Sequence, residues 1–220
     1  MGKESNSHLQ RRFAAIPKVA GAISIISGLL VVAGYWLNIP ILKSFVPRHA
    51  PMRPLGALNC ILAGLSVWLL QGEATVSIPK RVGRFVGRLC SAAILAVGLL
   101  TLSEYLFGWD LGIDRLLFRD SLVWVMGVPP GRIPATPALC FCVISCGLLA
   151  LDSGTRRRYH PTEVFGFLAM LGGMVGTLDF TLTPSVAITE TPVNTSVVFF
   201  VLGCALLAQP SQLGTFSRDI

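Results

Sequence analysis

Residues 103–114 read SEYLFGWDLGID, with a carboxylic acid, Glu104, directly behind an apolar run and Trp109, Asp110 and Asp114 within ten residues of it. An ionisable group at the end of an apolar helix is a site hypothesis by default, because burying it in lipid is costly. Asp179 occupies a similar place behind a second apolar run. Together with Tyr35 and Tyr105, the two acids could line one ligand-binding cavity holding a protonatable carboxylate or a polar headgroup. The plainer alternative is that each acid reaches the headgroup region or bonds to a neighbouring loop. Asp110 and Asp114 are expected in a wet loop, with Trp109 marking the interface.

Other chemistry-bearing residues point away from metals and cofactors. Cys140, Cys142 and Cys146 form C-x-C-x3-C, with Cys142 and Cys146 one helical turn apart. A soft metal would accept thiolates there, but the stretch is apolar and lacks histidine, and cysteine packs well as a small hydrophobe. Cys60, Cys90 and Cys204 also fall in or beside apolar runs, so no disulfide framework is indicated. His8, His49 and His160 all lie outside those runs, which argues against haem held by intramembrane histidines. No phosphate-binding, zinc-protease, nucleophile-elbow or dinucleotide motif is present. No metal and no cofactor is expected, and no enzymatic activity.

The elements that must carry these residues follow from composition. Of 220 residues, 53% are hydrophobic and only 13% charged, about half the charged share of an ordinary soluble domain. The net charge of +7 is spread in short clusters between apolar stretches rather than gathered on one patch, which excludes a nucleic-acid partner and leaves membrane lipid. Six spans are expected: Val19 to Leu37, Leu55 to Leu70, Leu89 to Phe107, Ala135 to Leu151, Val164 to Phe180, and Val193 to Leu207. Several are near the short end of the roughly 17 to 25 residues that cross a bilayer. Lys and Arg divide twelve to six between the two sides, placing both termini in the cytoplasm. The run Arg156 to His160 is read as setting topology and meeting anionic lipid.

The chain also repeats itself. SGLLVVAGYWLNIP resembles VGLLTLSEYLFGWD, with Tyr35 opposite Tyr105, and a more diverged copy runs from FLAMLGGMVGTLDF to TPVNTSVVFFVLGCALLAQP. The shared unit is a helical hairpin whose loop ends in proline, shortly before Ala57, Ala138 or Ser196. The expected architecture is an all-α membrane bundle of six transmembrane helices in three tandem hairpins, about residues 19–71, 89–151 and 163–208. A basic cytoplasmic segment, 1–18, precedes it and a short tail, 209–220, follows. The loop after residue 107 is expected to carry a short interfacial helix anchored by Trp109 and Trp124. Gly172, Gly173 and Gly176 are expected to let helices approach closely, chiefly within the chain.

The stretches SEYLFGWDLGIDRLLFRD, GRIPATPALCF and TPVNTSVVFFVLGCALLAQP resemble the N-terminal multi-helix membrane region of bacterial PAS-containing sensor histidine kinases and related signalling proteins. The resemblance runs from about residue 20 to 210. It implies a sensor module in the bacterial cytoplasmic membrane and other membrane or signalling proteins as partners. The sequence given ends at SRDI without a phosphoacceptor histidine, an ATP-binding glycine motif or a cyclase signature. A non-catalytic role through contacts with partners or a membrane ligand is therefore expected. The alternative is an accessory subunit that stabilises a larger respiratory or photosynthetic membrane complex.

Overall fold

A computed structural model describes residues 2–44, 51–71, 79–115, 117, 131–151, 161–182 and 191–208. Among these the chain is all-helical. It runs α1 (Gly2–Trp36), the single turn α2 (Pro40–Lys43), α3 (Pro54–Gln71), α4 (Lys80–Phe107), α5 (Ala135–Ala150), α6 (Pro161–Leu182) and α7 (Val193–Leu207), with a 3-10 turn at Ile113–Arg115. His49, His160, the Arg156 to His160 run and most of the expected interfacial helix, Trp124 included, lie outside the described residues.

Proline and left-handed residues punctuate these elements. Pro40, Pro54 and Pro161 open α2, α3 and α6, while Pro79, Pro134 and Pro192 are the N-cap residues of α4, α5 and α7. The missing N–H of proline costs nothing in a first turn. At the other end, α1 stops where Asn38 takes φ 55° and α4 where Gly108 takes φ 69°, the left-handed conformation that releases a helix. α1 is longer than its apolar part: residues 2–18, expected as a separate basic segment, continue the same helix. α4 likewise begins nine residues before Leu89.

Four stretches are long and apolar enough to cross a membrane: Ala15–Trp36, Pro54–Gln71, Lys80–Phe107 and Pro161–Asp179. α5 and α7 are apolar but shorter, with 16 and 15 residues. At about 1.5 Å per residue they reach roughly 22 to 24 Å, less than the ~30 Å hydrocarbon layer.

Packing places these two short helices at the centre of the bundle. α3, α5 and α7 touch one another, α1 lies against α3 and α7, α4 against α3 and α5, and α6 against α5 and α7. Three central helices are thus surrounded by three peripheral ones. The peripheral set presents Val19, Ile26, Phe85, Leu99, Phe167 and Val175 outward, as lipid contact requires. On the central helices, Cys60, Ala63 and Val67 of α3, Ile144, Phe141 and Leu148 of α5, and Phe199, Leu202 and Leu206 of α7 are fully buried. Each trio has the three-and-four spacing of one helical face. Phe141 and Phe199 meet edge to face with centroids 4.9 Å apart.

Peripheral and central helices meet at small residues. A Cβ on Gly28 would lie 2.5 Å from the Ala57 carbonyl oxygen, one on Gly98 3.2 Å from that of Ala138, and one on Gly173 2.6 Å from that of Ser196. Gly172 faces the Cys140 sulfur and Gly176 the Ser196 hydroxyl, so the α6 glycines make contacts inside the chain. Gly21 meets Gly64 while Gly28 meets Ala57, and Gly166 meets Gly203 while Gly173 meets Ser196. α1 and α3 therefore run antiparallel, as do α6 and α7. Ser24 donates to the Cys60 carbonyl, and the Ser66 and Ser91 hydroxyls lie 2.6 Å apart between α3 and α4. Such short-range contacts hold helices together in lipid, where burial of apolar surface does not.

A side chain on Gly173 would collide with backbone, which cannot rotate away. Gly173→Val is expected to lower the thermal stability of the detergent-purified protein by several degrees. Gly56→Ala, with only Met52 Cε at 3.9 Å, is expected to leave it unchanged or raise it through better helix propensity. Equal melting temperatures for the two variants would contradict close approach at Gly173.

Candidate functional site

Glu104 is the last member of a stripe. The buried residues of α4 are Gly83, Gly87, Ser91, Ile94, Gly98, Thr101 and Glu104, spaced by threes and fours along one face. The same periodicity that keeps the apolar residues toward lipid turns this carboxylate into the protein, where it is 1% exposed. A carboxylate so placed needs partners, and the chain that follows supplies them.

Gly108 donates its N–H to the Glu104 main-chain carbonyl, 3.1 Å away. The reversed chain then brings the Leu111 N–H to 2.9 Å from Glu104 Oε1. Asp110 accepts the Gly112 N–H in a local turn, with Gly112 itself at φ 70°. The 3-10 turn that follows points Asp114 inward. From the other side Gly131, at φ 85°, leads into Arg132 just ahead of α5.

Arg132 closes the cluster. Its Nε donates to Asp114 Oδ2 at 2.9 Å and lies 3.2 Å from Glu104 Oε2, while Nη2 is 3.6 Å from Asp110 Oδ1. Its guanidinium carbon stands 5.7 Å from the Tyr105 ring centroid, and the Tyr105 hydroxyl donates to the Ile133 carbonyl at 3.2 Å. Leu55, Ile133 and Ala138, with Val97, Leu102, Ile113 and Leu117 packed against them, form an apolar patch next to these residues. Burial alone would lower the Arg132 pKa. The hydrogen bond that Arg132 donates to Asp114 and the charges of Glu104 and Asp114 outweigh it, so the pKa lies above its ordinary value.

One guanidinium thus faces two buried carboxylates and a third, Asp110, that is half exposed. Glu104 Oε2 is paired by charge at 3.2 Å without hydrogen-bond alignment, and Asp114 Oδ1 accepts no hydrogen bond among the described residues. The arrangement fastens the end of α4, the loop behind it and the start of α5 to one another. Its chemistry is charge pairing.

The structure distributes the sequence candidates unevenly. Glu104 and Tyr105 come together around Arg132. Tyr35 is buried with the Lys43 ammonium 4.9 Å from its ring centroid, and Asp179 is buried near the end of α6. Asp114, expected in a wet loop, is 4% exposed: the 3-10 turn and Arg132 draw it inward. Trp109 is half exposed, as an interface residue would be. Cys140 and Cys142 lie against Gly172 and Gly98, and no group of metal-ligating side chains occurs among the described residues.

Two residues carry signals that sequence reasoning missed. Arg132 falls in sequence among the loop cations, yet it is 8% exposed. Asn59, in the middle of α3, is fully buried, and neither atom of its amide has a hydrogen-bond partner among the described residues. No family profile, no curated protein and no solved structure matches this chain.

Removing one partner of a buried ion pair costs roughly 3 to 5 kcal/mol, because the other is left charged and unpaired. Arg132→Met is expected to destabilise by that amount in reversible denaturant unfolding. The triple variant Arg132→Met, Glu104→Gln, Asp114→Asn is expected to recover most of it. An Arg132→Met cost below about 1 kcal/mol, the range of exposed pairs, would show that the cluster is not coupled. Asn59→Leu removes an unsatisfied buried amide and is expected to stabilise by about 1 to 3 kcal/mol, again read from unfolding curves.

Proposed function

We propose that the chain is a six-span, non-catalytic membrane module of the sensor type, acting through contacts with partner proteins or a membrane ligand. In this reading its helices form three tandem hairpins about a pseudo-threefold axis, α1 with α3, α4 with α5 and α6 with α7, both termini being cytoplasmic. The recurrence of contacts supports the hairpins. Gly28, Gly98 and Gly173 meet Ala57, Ala138 and Ser196 in turn. Six residues beyond those glycines stand Gly34, Glu104 and Asp179, and seven beyond stand Tyr35, Tyr105 and Phe180. The short α5 and α7 can belong to a six-span bundle because they are central and the surrounding helices carry most of the lipid contact.

The observation that carries the functional reading is the Arg132 cluster. It ties a surface loop, through Asp110, Leu111 and Asp114, to the ends of two neighbouring helices. Anything that displaces the loop must reposition those helix ends, which a bundle packed at van der Waals distance transmits rather than absorbs. Sensing at that end and relay at the other require nothing more.

Two experiments test this reading. In a cysteine-free background, cysteines at Trp109 and at Arg157 are expected to react with an impermeant thiol reagent from opposite sides of sealed vesicles. Labelling from one side means that α5 does not span. Purification in mild detergent followed by mass spectrometry is expected to recover soluble signalling proteins. Stoichiometric recovery with a large respiratory or photosynthetic complex would replace the sensor reading with that of an accessory subunit.

A further inference from the structure

Two buried carboxyl groups share one guanidinium nitrogen. Arg132 Nε lies 3.2 Å from Glu104 Oε2 and 2.9 Å from Asp114 Oδ2, which sets the two carboxyl groups side by side, within hydrogen-bonding reach of each other. Glu104 Oε1 accepts the Leu111 N–H. The oxygens left over, Glu104 Oε2 and Asp114 Oδ1, are buried and accept no hydrogen bond among the described residues.

With every group ionised, this buried set carries two negative charges against one positive. Two carboxylates so close in a site of low dielectric repel each other, and such pairs keep one proton between them. Among the described residues nothing else offsets the second charge. Tyr105 donates its hydroxyl to the Ile133 carbonyl, and half-exposed Asp110 adds a further negative charge. The packed helices α3 and α5 contain no charged residue. Their titratable groups are cysteines, of which Cys142 faces Gly98, well below Glu104. Arg53, ahead of α3, acts on Tyr35.

We propose that Glu104 and Asp114 hold one proton between them, and that this proton is a pH-operated latch on the loop that follows α4. In the latched form an O–H on one carboxyl group donates to the other, so a single bond engages both leftover oxygens and the buried charges sum to zero. On release the O–H bond breaks, its electron pair stays on the carboxylate and the proton passes to water beside Asp110. Two full negative charges then share Arg132, and their repulsion falls on Asp114 and Leu111, which seat the loop. The latch deepens the sensor reading, on which it rests for relay to a partner, by naming the signal as the pH on the loop's side of the membrane.

A site that binds one proton more in the folded than in the unfolded chain is stabilising at low pH and loses that contribution as pH rises, by up to about tenfold in the unfolding equilibrium per pH unit. The window to scan runs from about pH 6 to about pH 9, above the range in which free carboxyl groups titrate. A spin label on Trp109→Cys, in the cysteine-free background, is expected to be restrained at the low end and mobile at the high end, reversibly. Glu104→Gln carries an amide that donates the bond of the protonated acid, and is expected to keep the label restrained throughout. In Asp114→Asn a single carboxylate balances Arg132 without a proton, so the step is expected to vanish there too. The unaltered chain is expected to lose stability across the window relative to both variants. A label and a relative stability that ignore pH overturn the proposal, as does a step that persists in both variants. So does a Glu104→Gln chain that unfolds more than about tenfold more readily at the low end, because Glu104 then acts as a full charge in the seated loop. Recovery of signalling proteins bears on the relay alone: a pH step without such partners supports the latch and removes the sensor, and partners without a step do the reverse.

Discussion

Helices in an apolar solvent gain nothing by hiding apolar side chains from it, so a bundle must be held by contacts that lipid cannot imitate. In this protein those contacts are made where a glycine on a peripheral helix meets the backbone of a central one. Gly28 at Ala57, Gly98 at Ala138 and Gly173 at Ser196 bring main chains closer than any larger residue allows. The rest of the architecture follows from them. Once three peripheral helices are seated this way, the central faces of α3, α5 and α7 are left to fill with Phe141, Phe199, Ile144 and Leu202. The Ser24 hydroxyl then finds the Cys60 carbonyl, and the Ser66 and Ser91 hydroxyls find each other, across close helix interfaces. Loosening one contact would unseat both neighbours of the helix that carries it.

The Arg132 cluster obeys a different constraint. A carboxylate at the end of a buried stripe costs several kcal/mol unless a cation and directed hydrogen bonds meet it. Glu104 obtains the cation from a residue twenty-eight positions later and the hydrogen bond from a residue seven positions later. Its main-chain carbonyl accepts the N–H of Gly108, the residue that ends the helix. One residue therefore fixes where α4 stops, how the chain reverses and where α5 begins.

Much of this was legible in the sequence. Composition and apolar run length declared a membrane-type helical chain, and proline placement marked the helix starts. The small residues of α6 announced close packing. What failed had physical causes. The fate of Asp114 could not be read from its neighbours, because it depends on Arg132 arriving from the far side of a long loop. Asn59 lay inside an otherwise unremarkable apolar run, where a single amide barely changes the average. The basic N-terminal segment is helical and continuous with α1, since charge does not break a helix and Pro17 does not end it.

The three central helices share one more property. Met52 beside α3 accepts a hydrogen bond from Asn194 at the start of α7, and Leu55 shares an apolar cluster with Ile133 and Ala138 at the start of α5. All three helices therefore begin at the same end of the bundle and run parallel. Each brings roughly half an elementary positive charge to its N-terminus, so their fields add instead of cancelling as they would in an up-and-down bundle. Buried Arg53 and Arg132 add two full charges at that end. Glu104, Asp114 and Asp179 then appear as the counter-charge of a polarised core, placed on the surrounding helix ends and the loop where the field is strongest.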